Sequence, residues 1–363
     1  MVAWLRRLFS PSPPVHPPAG SAAVADEAGA PADTGPADTL APLTGTQTAS
    51  GGQPSMLSAM QRADVNANFT NWLFDDRGED ESFTNPLEDR ILASLNEILN
   101  SKQSGAALVR RMPGVIPQLL QRLRSDDFSG HELARMISHD VVLVAGVVRL
   151  ANSAMYNRNR HIASIEQAIL VLGQAGLRQL ITSVAFQPIL DLNSGTWTRT
   201  VAPRLWDQSE KCAIANRLLA ERGDTASFDA FLAGLAQNVG LIASLRLVDQ
   251  MAGEDDVIGS ESFCHALMRC TRGLSCSIAR EWRFPAPVAA AIEEAGGNRK
   301  FTELSPMGRT LVMGDYLSKV DLLLRHNRLN PDDPRLLKGL SPHEADCLRQ
   351  LQAMPEREDP AGP

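Results

Sequence analysis

Apolar residues of this chain are densest between Phe231 and Leu245, which read F-L-A-G-L-A-Q-N-V-G-L-I-A-S-L. In a helix they would occupy every face, so the pattern predicts one helix that is buried on all sides. Two neighbouring polar residues, Gln237 and Asn238, interrupt the middle of the stretch. Each buried polar group without a hydrogen-bond partner costs about 1–3 kcal/mol. The stretch therefore predicts a polar site inside the protein core.

The rest of the chain carries further helical patterns. Apolar residues such as Ile91, Leu95 and Ile98 recur with the spacing of one helical face. Capping boxes, in which a serine begins a helix and Glu or Gln follows three residues later, are predicted at Ser129, Ser164 and Ser341. A sustained alternation of apolar and polar residues, typical of strands, is absent from the sequence. We therefore predict an all-α fold, a compact multi-helix bundle.

Composition divides the chain into four parts. Residues 1–55 are rich in Pro and Ala without periodic apolar positions, which predicts a disordered tail. Residues 56–87 contain aromatic anchors and the acidic run D-D-R-G-E-D-E, which predicts a partly ordered arm that docks on the domain or binds a partner. Residues 88–355 are predicted to form the all-α domain, and residues 356–363 a disordered C-terminus.

Charge and cysteine content narrow the classes of function. A formal net charge of −7 argues against a general nucleic-acid-binding surface. No uninterrupted apolar run reaches the roughly 18 residues of a membrane span. The five cysteines form no C-x-x-C pair, which indicates structural thiols in a reducing cytoplasm.

Two blocks within residues 107–295 carry a family pattern. The first comprises R-L-A-N-S-A-M-Y (Arg149–Tyr156) and S-I-E-Q-A-I-L-V-L-G (Ser164–Gly173). The second comprises Leu205-Trp206 and the apolar stretch described above. Together they resemble the HD-related output domain (HDOD), a bacterial signalling module of the HD superfamily. This resemblance implies an α-helical regulatory domain.

The resemblance also implies where a catalytic HD protein would bind its metal. A histidine follows the tryptophan by two residues, His-Asp lies in the signature helix, and further histidines come downstream. This chain has amides or a hydroxyl at those positions, namely Gln208, Gln237, Asn238 and, by a looser alignment, Thr271. A later His-His would fall near Ala295 and Gly296. Because such side chains are poor ligands for a catalytic transition metal, the expectation is no bound metal, no cofactor and no catalytic residue.

Two polar features allow both a structural and a recognition role. The Gln237–Asn238 pair either cross-links helices or recognises a ligand. Asn152 and Ser153 either cap helix ends or, with Arg149 and Tyr156, form a turn that contacts a partner.

The sequence therefore predicts a non-catalytic, cytoplasmic signalling module that acts through a protein partner. Two alternatives remain: a metal-dependent HD-type phosphohydrolase acting on nucleotides, and a sensor that binds a nucleotide second messenger without hydrolysing it.

Overall fold

The computed structural model describes residues 57–74, 83–100, 121–124, 135, 141–153, 162–186, 195–223, 225–253, 256, 258–297 and 299–355. The predicted N-terminal tail, the acidic run after Phe74 and the predicted C-terminal disorder lie outside them. Within the described residues every regular element is helical, which confirms the all-α prediction. The helices are α1 (Ala59–Leu73), α2 (Pro86–Asn100), α3 (Val141–Ala151), α4 (Ile165–Phe186), α5 (Thr196–Ala220), α6 (Ser227–Ala236), α7 (Val239–Met251), α8 (Glu261–Glu281), α9 (Ala286–Gly296), α10 (Pro306–Arg325) and α11 (Pro342–Gln352).

Helix α5 forms the centre of the fold and packs against α6, α7, α10 and α11. Its contact with α6 is close because Gly234 faces the backbone of Ala213, where an added Cβ would lie 2.5 Å from the Ala213 Cα. Helices α8 and α9 pack onto α7 and α10 and complete the layer around the site. The core is built mainly from aliphatic side chains, with aromatic rings such as Phe186 and Trp282 among them.

Helix boundaries follow local chemistry. Ser305 and Ser341 cap α10 and α11, each followed by proline at the first helical position, and Glu344 completes the predicted capping box. Gly173 interrupts α4, because its positive φ of 71° splits the helix into two segments.

The apolar stretch from Phe231 to Leu245 differs from the single predicted helix. It forms two helices, α6 and α7, which meet at the polar pair. The Ser275 hydroxyl of α8 lies in the break, donating to the Gln237 carbonyl oxygen (2.6 Å) and accepting from the Gly240 amide (2.9 Å). A side chain inserted between the backbone groups of a helix interrupts it. The stretch from Phe231 to Leu245 is nevertheless almost wholly buried, as predicted.

Helix α1 lies inside the predicted acidic arm. Ser58 and Gln61 form a capping box that the sequence analysis did not identify. Phe69, Trp72 and Leu73 are buried, and the Trp72 ring stacks on His326 with centroids 4.8 Å apart. The helix packs mainly against α10 and also against α5, so it forms part of the same packed body.

Within the described ranges, two helical stretches are long and apolar enough by mean hydropathy to cross a membrane: Ile165–Phe186 and Ser227–Met251. Within the protein, 61% of the most apolar window of the first and 78% of that of the second are buried, as is usual for core helices. The absence of a membrane span, inferred from uninterrupted apolar runs, stays a prediction.

Candidate functional site

The positions expected to replace the HD metal ligands meet around one cavity of about 220 Å³. Gln237 and Asn238 lie at the break between α6 and α7, while Thr271 comes from α8. Ala295 and Gly296 line the cavity from the end of α9. Gln208, on α5, lies behind the lining and is hydrogen-bonded to Asn238. Positions up to 88 residues apart, from 208 to 296, are therefore brought together.

Gln208 and Asn238 form the centre of a hydrogen-bond network. The Asn238 side-chain amide donates to Gln208 Oε1 (2.5 Å) and to Ser209 Oγ (2.9 Å). The Gln208 amide donates in turn to Asp315 Oδ1 (2.9 Å) and to Ser318 Oγ (3.0 Å). Gln208 is completely buried. The network therefore joins α5 to α10 and to the break before α7, which is the arrangement expected of a structural cross-link.

Gln237 and Asp315 complete the network. The Gln237 side-chain amide donates to Asp315 Oδ1 (3.2 Å) and to the Cys212 sulfur (3.0 Å). The other carboxylate oxygen of Asp315 accepts from the Lys319 ammonium at 2.6 Å, and Lys319 also donates to Asn66 Oδ1 (2.8 Å). Sequence reasoning missed Asp315 and Lys319. Their only local signal is a charged pair spaced by four residues in an otherwise apolar helix.

Cys212 is the thiol nearest this network and is fully buried. Burial raises the pKa of the thiol well above its usual range, and the Asp315 carboxylate raises it further. The side chain therefore stays protonated at neutral pH. A protonated thiol is neither a nucleophile nor a metal ligand.

The donor set does not suit a divalent transition metal. Gln208, Gln237 and Asn238 offer amides that are already engaged with neighbouring side chains, and the Asp315 carboxylate is ion-paired with Lys319. Within the ranges that the structure describes, no three His, Cys, Asp or Glu side chains lie close enough to share an ion. A catalytic zinc site needs about three such ligands, so the residues present do not fit the metal that the HD superfamily implies.

Thr271 contributes less than the amides do. Its hydroxyl donates to the Met268 carbonyl oxygen of its own helix at 3.1 Å. It lines the cavity but makes no hydrogen bond to Gln208, Gln237 or Asn238 in the described structure.

The possible interaction turn is separate from the cavity. Asn152 bridges the turn from both sides: its amide donates to the Val148 and Ile162 carbonyl oxygens, and its Oδ1 accepts from the Ile162 amide at 2.7 Å. The Ser153 hydroxyl is buried and has no partner within the described part of the chain. Arg149 lies in the last turn of α3, and Tyr156 lies outside the described residues. Asn152 therefore stabilises the turn itself.

Replacing Asn238 with leucine tests the cross-linking role. Asn238→Leu removes two hydrogen bonds, leaves Gln208 Oε1 buried without this donor, and places a branched side chain in the network. We expect the free energy of unfolding to fall by about 1–3 kcal/mol in urea denaturation. Asn68→Leu on the exposed face of α1 is the control, expected to change stability by less than about 0.5 kcal/mol. An unchanged midpoint for Asn238→Leu together with lost ligand binding would indicate a recognition role instead.

Comparison with known proteins identifies the class to which this fold and site belong. The family model of the HDOD domain matches residues 109–296, just over half of the chain. The chain belongs to the HDOD family. A curated relative, an uncharacterized protein of Treponema pallidum (strain Nichols), is 24% identical over 193 residues, which are 51% of this chain and 37% of the relative. The chain thus matches only about a third of that protein.

A solved structure shows the same fold. An HDOD domain protein of unknown function from Geobacter sulfurreducens is 22% identical, with a TM-score of 0.50 over 72% of this chain and 89% of that one. A Shewanella amazonensis SB2B protein, provisionally named a metal-dependent phosphohydrolase, is 17% identical, with a TM-score of 0.49 over 74% and 98%. A Marinobacter aquaeolei VT8 protein, provisionally named a signal transduction protein, is 16% identical, with a TM-score of 0.43 over 80% and 68%.

Proposed function

We propose that this chain is a non-catalytic regulatory module of bacterial signal transduction, located in the cytoplasm, that acts through protein–protein contacts. Membership of the HDOD family supports the regulatory class. The five free cysteines, four of them buried, fit a reducing compartment. The observation that carries the proposal is the amide network at the positions where the resemblance places the HD metal ligands.

The polar side chains of the network are already hydrogen-bonded to one another. Gln208, Gln237 and Asn238 donate to neighbouring side chains, and Asp315 accepts from two amides and from Lys319. A hydrolytic metal site needs ligands that hold the ion and leave a position free for water. Here the same side chains hold helices together, which favours a structural use of the former site.

The exposed surface offers a place for a partner. Leu170 is 85% exposed and Val171 43% exposed, both on the first segment of α4 just before the kink at Gly173. Contiguous exposed apolar side chains mark contact surfaces more often than single ones do. In-cell cross-linking of the wild-type full chain should capture one specific partner protein. The Leu170→Asp variant should fail to capture it. Equal capture by both proteins would place the contact elsewhere.

Metal content tests the non-catalytic half of the proposal. The purified full chain should contain far less than one Mn, Fe, Zn or Mg per molecule by elemental analysis and should not hydrolyse phosphate esters. The triple variant Gln208→His, Gln237→His, Asn238→Asp should likewise show no phosphohydrolase activity, because the downstream histidines of the HD pattern remain absent. One ion per wild-type chain, removed by a chelator together with phosphohydrolase activity, would establish the enzyme alternative.

A further inference from the structure

The cavity beside the amide network is lined by more positive than negative charge. Helix α1 contributes Arg62, α8 contributes Arg272, and α10 contributes Lys319 together with Asp315. Asp315 is the only acidic side chain in this lining. The cavity wall therefore carries three cations and one anion, although the whole chain has a formal net charge of −7.

Among these four charged residues, Asp315 forms an ion pair with Lys319. The Lys319 ammonium lies 2.6 Å from Asp315 Oδ2, and the other carboxylate oxygen accepts from the amides of Gln208 and Gln237. Neither Arg62 nor Arg272 has a carboxylate within ion-pair distance in the described parts of the chain. Two guanidinium groups thus face the same cavity without a paired acid.

Arg62 is the clearest example of a cavity-lining cation without a paired acid. Its Nε is buried and has no hydrogen-bond partner among the described residues. Burial lowers the pKa of the guanidinium, and the nearby positive charge of Arg272 lowers it further, although Asp315 acts in the opposite direction. A buried donor without a partner costs stability, and so do two like charges in proximity. Both costs disappear when an anion lies between the two side chains.

The rest of the lining indicates what else the ligand contains. Leu241, Met268, Ile292 and Val312 form an apolar part of the wall, while Asn66 and Tyr316 lie on the polar side. A ligand site typically combines an apolar wall with a few charged or polar groups that fix orientation. The volume of about 220 Å³ lies below the range of about 300–1,000 Å³ typical of ligand pockets, so the cavity admits a small molecule and not a polymer.

We propose that this cavity binds a small phosphorylated organic molecule, such as a mononucleotide, with its phosphate held between Arg62 and Arg272. Arginine pairs with phosphate through two parallel hydrogen bonds, and the apolar wall would contact the organic part. Binding would attach α1 to the rest of the domain, because Arg62 belongs to α1 and Arg272 to α8. Binding of the ligand would then regulate a module that acts through protein contacts. This inference rests on the proposed non-catalytic function.

Calorimetric titration of the full chain tests the site. The probes are inorganic phosphate, AMP, GMP and their 3′,5′-cyclic forms, with adenosine and guanosine as uncharged counterparts. At least one phosphorylated probe should bind saturably at one per chain, and the matching nucleoside should not. Arg62→Gln and Arg272→Gln should each weaken binding about tenfold or more, because each removes a charge-assisted contact. Arg269→Gln is the matched control, since Arg269 is exposed on the same helix.

A second measurement separates a ligand site from a structural role. Without ligand, Arg272→Gln should raise the midpoint of thermal unfolding, because it relieves repulsion with Arg62. Failure of every probe to bind, or equal weakening by Arg269→Gln, would overturn the proposal, as would a lowered midpoint for Arg272→Gln. If no probe binds and the protein also lacks metal, only this inference fails and the non-catalytic function stands.

Discussion

Replacing Asp321 with alanine should destabilise the protein by about 3–5 kcal/mol. The Asp321 side chain is fully buried and accepts from the Lys211 ammonium at 2.6 Å, and the Lys211 side chain is only 2% exposed. Asp321 also accepts from Arg325 at 2.9 and 3.0 Å. Its loss leaves a buried ammonium unpaired between α5 and α10. Urea unfolding monitored by circular dichroism measures the change.

Two further variants show whether the cost comes from the unpaired charge. Asp346→Ala removes an ion pair with Arg349 in which the Asp346 side chain is 42% exposed. This substitution should lower the free energy of unfolding by less than about 1 kcal/mol. The double variant Lys211→Met, Asp321→Leu should recover much of the lost stability, since an apolar pair can replace a buried ion pair. If Asp321→Ala costs no more than Asp346→Ala, the buried pair does not contribute as described.

Gly240→Ala should destabilise the protein by about 3 kcal/mol, towards the upper end of the usual cost of overpacking. An added Cβ would overlap the Thr271 carbonyl oxygen and lie 2.5 Å from the Ser275 amide nitrogen. Both atoms belong to the backbone of α8, so no side-chain rotation relieves the clash and α7 must move away. Thermal and urea unfolding of the variant measure the effect.

The control for this substitution is Gly273→Ala, which is not expected to lower the free energy of unfolding. Gly273 lies on α8, and the nearest atom to an added Cβ is Leu99 Cδ2 at 3.4 Å, which can shift slightly. Gly273→Ala should therefore be neutral or stabilising by up to about 1 kcal/mol, because alanine favours a helix over glycine. Similar losses at both positions would mean that the approach of α7 to α8 is not the cause.

The sequence was sufficient for the fold class and for those helix boundaries that depend on local chemistry. Ser305, Ser341 and Gly173 act within a few residues of themselves, so their effects can be predicted without a structure. The candidate site was predictable at the positions that the family pattern marks. The structure groups Gln208, Gln237 and Asn238 through hydrogen bonds, and Thr271 lies on the cavity wall.

What the sequence did not predict depends on distant residues. The break between α6 and α7 is filled by Ser275, 38 positions after Gln237. Asp315 meets Gln208 across a separation of 107 residues. Arg62 belongs to α1, whose apolar residues show only weak helical periodicity in the sequence. None of these contacts has a local signal in the sequence, since each arises only when the helices pack.

The buried ion pair between α5 and α10 shows that the segment matched by the family model is shorter than the segment that packs as one body. The matched segment ends at residue 296, so it contains Lys211 but not Asp321, Asp315 or Lys319. It also begins after α1 and α2, which pack against the later helices. The recognisable segment therefore contains a buried positive charge whose counter-charge is supplied from outside it. A fragment limited to residues 109–296 would therefore lack this counter-charge and the helices that pack on it, so we expect it to fold less stably than the full chain.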